Sequence, residues 1–188
     1  IADIGDNALA RAEKQIYRLK KSEVLKVKNK GSVDCDVIRF KYPEIDGKTT
    51  NFNAEALISF NGVLHLFTKD FFESNHFTLS PEPGKTTARF IEKFKSNGQV
   101  TGAALSSLNN TLIMVGYLGM GERLVWEIKG FNETSFFNNQ PRSFSLGPLN
   151  VTGQVESVCF NSKGEVFFTN ENTWNVKQQL WNLQNLNN

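Results

Sequence analysis

The chain has 188 residues, which is enough for one domain with a sizeable core. Its 21 basic and 19 acidic residues give a formal net charge of +2, and this near balance gives no reason to expect nucleic acid or an anionic membrane as the main partner. No run of about 18 apolar residues occurs, so no transmembrane segment is predicted. The 16 phenylalanines and the β-branched residues of the apolar runs favour sheet over helix.

The first segment of the chain, residues 1–43, predicts three strands. They are Ile1–Gly5, Gln15–Leu19 and Cys35–Tyr42. Between the second and third strand lies the run Lys20–Lys30, which contains five lysines. We interpret this run as a solvated loop or outer edge, where lysine discourages strand pairing. A basic contact patch is the alternative interpretation.

Residues 54–70 form the first copy of an internal repeat, which consists of a strand, an Asn61-Gly62 turn and a second strand. The same pattern recurs at 100–117 and 155–171 with turns rich in Asn, Gly and Ser. Further strand candidates follow each hairpin: His76–Leu79 and Thr87–Phe94, Arg123–Ile128 and Arg142–Leu146, and Gln179–Leu183. A period of about 40–50 residues with several strands per unit is typical of β-propeller blades.

The repeat predicts an all-β fold, a single β-propeller domain over residues 1–188 that is built from four-stranded antiparallel blades. We expect a partial blade at 1–43, whole blades at 54–95 and 100–149, and a partial blade at 155–186. A propeller removes exposed strand edges by closing on itself. We therefore expect a further N-terminal part before residue 1, with a four-bladed ring that has a disordered or swapped end as the alternative.

The two cysteines, Cys35 and Cys159, fall on an outer and an inner strand in this assignment. Such strands are too far apart for a disulfide, whose Cα atoms must lie within about 7 Å of each other. We predict two buried free thiols.

Several runs of the sequence resemble those of exported β-propeller proteins that are common in Bacteroidetes. These runs are Ile1–Asn7, Ile16–Leu19, Phe40–Pro43, Asn53–Ala56, Gly153–Ser157 and Phe168–Glu171. The resemblance spans nearly the whole chain and describes how blades are built. It implies a location in the periplasm, at the outer membrane or outside the cell. Some related propellers are esterase-like or phytase-like.

Acidic residues occupy equivalent places in the repeat. Glu55 and Glu156 are each second in an innermost strand, where the side chain is expected to face the central channel, and Asp3 and Asp6 are expected at the same end. Oxygen ligands of this kind could hold Ca²⁺. The alternative is structural: the glutamates bond neighbouring main-chain amides, and the aspartates cap their own turn.

The remaining sequence motifs do not indicate a catalytic, zinc or phosphate-binding site. The chain has two histidines, His65 and His76, without the spacing of a zinc site, and it has no GxSxG motif. The run Pro83–Thr87 lacks the earlier glycine of a phosphate-binding loop, and we predict that it forms a turn.

Aromatic residues fall in the predicted loops, and exposed aromatics are frequent anchors of protein interfaces. The candidate interaction residues are Phe71, Phe72, Phe136, Phe137 and Trp174. Packing between blades is the alternative role for each of them.

Two functions follow from these observations. The first is a non-enzymatic binding module, a protein-interaction subunit of a cell-envelope assembly for outer-membrane secretion or uptake, with no nucleic-acid partner and no cofactor. The second is a calcium-dependent esterase-like or phytase-like hydrolase that uses Glu55, Glu156, Asp3 and Asp6 at the channel. Fold alone does not decide between them.

Overall fold

The structure, a computed structural model, describes residues 1–106, 108–133, 135–173 and 175–183. It confirms the predicted fold class, because four antiparallel sheets form a propeller-like ring. The strands are β1 (Ala2–Asp3), β2 (Lys14–Leu19), β3 (Cys35–Lys41), β4 (Glu44–Ile45), β5 (Lys48–Thr49), β6 (Ala54–Phe60), β7 (Val63–Thr68), β8 (Ser74–Leu79), β9 (Gly84–Thr87), β10 (Arg89–Phe94), β11 (Gln99–Ser106), β12 (Thr111–Tyr117), β13 (Glu122–Lys129), β14 (Arg142–Pro148), β15 (Gln154–Phe160), β16 (Val166–Glu171) and β17 (Leu180–Leu183). The two short helices are α1 (Lys21–Val24) and α2 (Leu149–Thr152).

Each blade is one sheet. Sheet 1 has the order β1-β2-β3-β9, sheet 2 has β6-β7-β8-β10, sheet 3 has β11-β12-β13-β14, and sheet 4 has β15-β16-β17. Within sheets 3 and 4 the strands follow one another along the chain, as expected when local connections join antiparallel neighbours, and sheet 2 departs from this order only because β9 lies between β8 and β10. The Asn61-Gly62 turn between β6 and β7 has φ angles of 48° and 74°, the left-handed values that such a hairpin needs.

The cores lie between consecutive sheets. Leu112 and Met114 of β12 belong to the apolar cluster shared with sheet 2, whereas Ile113 and Val115 belong to the cluster shared with sheet 4. This division follows from the alternation of side chains along a strand. A third cluster joins sheets 1 and 2. Sheet 3 is therefore covered on both faces, which explains why β12 is apolar along most of its length.

One predicted element was wrong. The run Pro83–Thr87 was expected to be a turn, and Thr87–Phe94 was expected to be a single strand. Instead β9 forms a separate strand that pairs in parallel with β3 of the neighbouring sheet, and β10 alone completes sheet 2. Gly84, with φ of 124°, lets the chain turn into this path. The strand covers the outer edge of β3, which would otherwise present unpaired main-chain groups.

The burial of the two cysteines was also predicted wrongly. Cys35 and Cys159 are free and both are exposed. Cys159 alternates with the buried Val158, and so it lies on the face of sheet 4 that points away from sheet 3. Cys35 is the first residue of β3, beyond the buried positions Ile38 and Phe40.

A close main-chain approach in sheet 3 explains why glycine occupies position 116. A Cβ atom there would lie 1.9 Å from the carbonyl oxygen of Gln99. We expect Gly116→Ala to reduce the free energy of unfolding by about 1–3 kcal/mol, because the two strands must separate. Urea unfolding measures the change. Gly5→Ala is the control, since its Cβ would meet nothing closer than 3.8 Å. Equal effects of the two substitutions would contradict the prediction.

The antiparallel order gives the ring two ends. We call the end that carries the connections β1–β2, β7–β8 and β12–β13 the upper face, with residues 4–13, 69–73 and 118–121. The opposite end, the lower face, carries the turn at 61–62 and the connections 20–34 and 80–83. Neither helix of the described residues has the length and apolar character that crossing a membrane requires.

Candidate functional site

Each innermost strand, β6, β11 and β15, has a β-bulge close to its start on the upper face. The extra, unpaired residues of the three bulges are Glu55, Thr101 and Glu156, the positions that the repeat makes equivalent. A bulge bends the strand and redirects the side chain of its extra residue. The hydroxyl of Thr101 donates to the carbonyl oxygen of Val155 at 2.7 Å, and this bond ties sheet 3 to sheet 4.

The bulges help to assemble a polar cluster from sheets 2, 3 and 4. We call it the mouth site, and its members are Glu55, Lys69, Tyr117, Gln154 and Glu156. Lys69 Nζ lies 2.7 Å from Glu55 Oε2 and 5.2 Å from the centre of the Tyr117 ring. Gln154 Nε2 donates to the Glu156 carboxylate and, at 3.4 Å, to the Tyr117 hydroxyl. Tyr117 of sheet 3 thus lies between the charged residues of sheets 2 and 4.

The mouth site has more negative than positive charge. Burial would lower the pKa of Lys69, but hydrogen bonds with Glu55 and Tyr117 outweigh it and raise that pKa. Burial raises the pKa of Glu156, and the negative charges of Glu55 and Glu171 act in the same direction. The guanidinium of Arg123 lies 5.0 Å from the centre of the Tyr117 ring, so two cations, Lys69 and Arg123, lie among three carboxylates. Such a site favours a ligand that brings a further cation.

The two aspartates predicted to join this site each have a cation of their own. Asp3 accepts a hydrogen bond of 2.7 Å from Arg11 in an exposed ion pair. Asp6 is buried and accepts a hydrogen bond of 2.8 Å from Lys14, which holds the pKa of the Asp6 carboxyl well below its ordinary value. Main-chain amides of Ala10 and Arg11 also donate to Asp6, as in the turn-capping alternative. Within the described residues no group of three or more His, Cys, Asp or Glu side chains could hold a metal. The calcium site stays a prediction.

Exposed apolar side chains lie next to the mouth site on the upper face. Phe71 and Phe72 follow Lys69 and are 57% and 74% exposed. Leu118 and Met120 follow Tyr117 and are 49% and 68% exposed. We call these four residues the apolar rim. The amide of Asn97 donates to the carbonyl oxygen of Phe72, and Asn97 lines the same cavity as Leu118, so the two loops border a common surface.

The other predicted interaction residues lie elsewhere. Phe136 is 1% exposed, and Phe137 packs against Phe94 with ring centres 4.2 Å apart. Both belong to the core between sheets 2 and 3, the packing role that was the alternative. Trp174 lies outside the described residues.

Comparison with known proteins does not identify a family for this chain. No protein-family model matches the chain, and no curated protein matches it. Of the resemblance to exported propellers, the structure supports only the four-bladed β-propeller arrangement.

A second polar cluster is buried in sheet 2, and the sequence analysis did not anticipate it. We call His65 and His76 the histidine pair: His65 Nδ1 lies 2.8 Å from His76 Nε2. His76 Nδ1 lies 3.1 Å from Glu92 Oε1, and Glu92 also accepts hydrogen bonds from the Ser135 hydroxyl and the Phe136 amide. Because a carboxylate only accepts, His76 Nδ1 carries a hydrogen, and one further hydrogen lies between His65 Nδ1 and His76 Nε2.

The order of these groups fits a structural role better than a nucleophilic one. In a catalytic triad the histidine lies between the hydroxyl and the carboxylate. Here Ser135 contacts Glu92 and not a histidine. The chain of bonds ties β7, β8 and β10 to the loop that follows β13. The signal available in the sequence was the pairing of neighbouring strands, which places His76 opposite Phe67, two residues along β7 from His65 and on the same face of the sheet.

Proposed function

We propose that the chain is a non-enzymatic binding module whose protein partner docks on the upper face. The observation that carries the proposal is the exposure of Phe71 and Phe72 beside the mouth site. Exposed aromatic residues next to polar groups that fix orientation are characteristic of protein-interaction surfaces. Leu118 and Met120 extend this apolar surface, and a flexible thioether such as Met120 adapts to the shape of a partner.

The charges of the mouth site favour a particular partner chemistry. Among the described residues, Glu156 and Glu171 form no ion pair like that of Lys69 with Glu55, although the charges of Lys69 and Arg123 act on Glu156 from farther away. A lysine or arginine of the partner would supply the missing charge, while neighbouring apolar residues of the partner cover the apolar rim. From the resemblance to exported propellers, we propose that the partner belongs to a cell-envelope assembly such as an outer-membrane secretion or uptake complex.

A pull-down with matched variants tests the proposal. We expect the tagged wild-type protein, extracted from its native cells in gentle detergent, to recover an envelope protein in stoichiometric amount. Phe71→Ser with Phe72→Ser is expected to lose that protein. Leu108→Ser is the control, because Leu108 is 69% exposed on the lower face. Recovery of the propeller alone, or equal recovery with the double variant, would contradict the proposal.

The calcium-dependent hydrolase is the second candidate, and it has less support. A phytase-like site needs several carboxylates that are free to bind the metal, whereas Glu55, Asp3 and Asp6 each accept a bond from a lysine or arginine. Calcium titration separates the two functions. Tight binding that disappears in Glu55→Gln with Glu156→Gln would favour the hydrolase.

A further inference from the structure

The connection between β2 and β3 contains an exposed segment that the fold does not use. We call residues 20–30 the lysine segment; all of its residues are exposed except the half-buried Val27, and α1 within it has no buried residue. A cavity of 580 Å³, lined by residues that include Lys20, Lys26 and Asp36, separates the segment from β3. A long connection that adds nothing to the core commonly carries function.

The charges of the lysine segment are largely uncompensated. It contains five lysines and one acidic residue, Glu23, which pairs with Lys26 at 2.8 Å. In the part of the chain that the structure describes, no ion pair engages the other four lysines, Lys20, Lys21, Lys28 and Lys30. Asp34 and Asp36 line the same cavity, and Asp36 pairs with Arg18, so lysines still outnumber the carboxylates and leave a local positive patch on the lower face.

Exposed apolar residues lie among these lysines. Leu25 is 71% exposed and Val24 is 44% exposed. Nucleic acid attracts lysines through its phosphates but gains nothing from an exposed leucine. A bilayer with anionic lipids uses both features, because ammonium groups contact the headgroups while apolar side chains enter the boundary of the acyl chains. We infer that the lysine segment binds an anionic phospholipid surface.

The position of the segment makes this binding compatible with a protein partner. Arg18, at the end of β2, donates to the carbonyl oxygen of Pro81 at 3.1 Å, which places the segment beside the 80–83 connection on the lower face. The apolar rim lies on the upper face. A propeller bound to a membrane through the lysine segment would direct Phe71 and Phe72 away from the bilayer. The inference does not depend on the proposed function.

Vesicle co-sedimentation tests the inference. We expect the protein to sediment with vesicles of phosphatidylcholine and phosphatidylglycerol in a ratio of about three to one, not with phosphatidylcholine alone, and to dissociate as salt is raised. Lys21→Gln with Lys28→Gln is expected to weaken binding about thirtyfold. Leu25→Ser is expected to weaken it about tenfold as well, by removing apolar insertion.

The matched control removes the same charge from the other end of the ring. Lys95→Gln with Lys177→Gln changes two exposed lysines of the upper face and should leave vesicle binding unchanged. Absence of sedimentation with anionic vesicles would overturn the inference. So would equal binding by the segment and control variants, or binding to duplex DNA in place of vesicles. Circular dichroism of each variant checks the fold, which these exposed substitutions are expected to preserve.

Discussion

Asp6→Ala is expected to lower the melting temperature by roughly 10 °C or more. The Asp6 carboxylate is buried, and Lys14, which is 0% exposed, donates to it at 2.8 Å. The Asp6 carboxylate also accepts hydrogen bonds from the Asn51 side chain at 2.9 Å and from the Arg11 amide at 2.8 Å. Removal of the carboxylate leaves a buried ammonium without its counter-charge, which costs far more than the loss of an exposed ion pair.

Two further variants make this experiment specific. Asp3→Ala removes the exposed pair with Arg11 a few residues away, and it is expected to change the melting temperature by only about 1–2 °C. Lys14→Met added to Asp6→Ala is expected to recover part of the loss, since it removes the stranded charge. Thermal unfolding followed by circular dichroism gives all three values. A loss in Asp6→Ala no larger than that in Asp3→Ala would show that the pair does not hold the 4–13 loop.

The strands of the fold could be predicted because local chemistry specifies them. The alternating apolar runs and the Asn61-Gly62 turn are sufficient to indicate the β6–β7 hairpin. The strand β9 could not be found in this way, because Gly84 pairs with Ile38 of sheet 1, far away in the sequence, and no local pattern records that contact. The exposure of Cys159 likewise depends on which face of sheet 4 is covered, which is a property of the assembled ring.

The candidate site could likewise be predicted from the sequence only in part. The repeat made Glu55 and Glu156 equivalent, and the structure places each at the bulge of its own innermost strand. Lys69 and Tyr117 join them through the packing of different sheets, which the order of the chain does not reveal. The loops containing Phe71 and Phe136 look alike in composition, but one aromatic residue is exposed and the other fills the core. Only the three-dimensional arrangement separates those two roles.

The histidine pair is expected to make the protein less stable as the pH falls from 6.5 to 4. Burial, and then the neighbouring His76, lower the pKa of His65 from 6.5 to about 4. Unfolded chains bind a proton at His65 below pH 6.5, whereas the folded protein resists it until about pH 4. The free energy of unfolding is therefore highest above pH 6.5, where His65 is neutral in both states, and it falls as the pH decreases toward 4. At 1.36 kcal/mol per pH unit, the loss approaches about 3 kcal/mol.

The main physical cause is burial. A proton added to His65 places a charge in a pocket bordered by Phe60 and Phe136. His65 Nδ1 shares a hydrogen bond with His76 Nε2, and His76 donates to Glu92, so Glu92 reaches His65 only through His76. A hydrogen bond with the main chain of Phe60 favours the protonated form, but it offsets only part of the cost of burying the charge.

Urea unfolding at pH 7, 6, 5 and 4 measures the effect, with the matched variant His65→Gln as control. Glutamine keeps a hydrogen-bond donor toward His76 but does not titrate. We expect the variant to be less stable than wild type at pH 7 and to show a flatter curve between about pH 6.5 and 5. Most carboxyl groups titrate at lower pH, so a decline in this window identifies a histidine. Parallel curves for the two proteins would mean that His65 is not the group responsible.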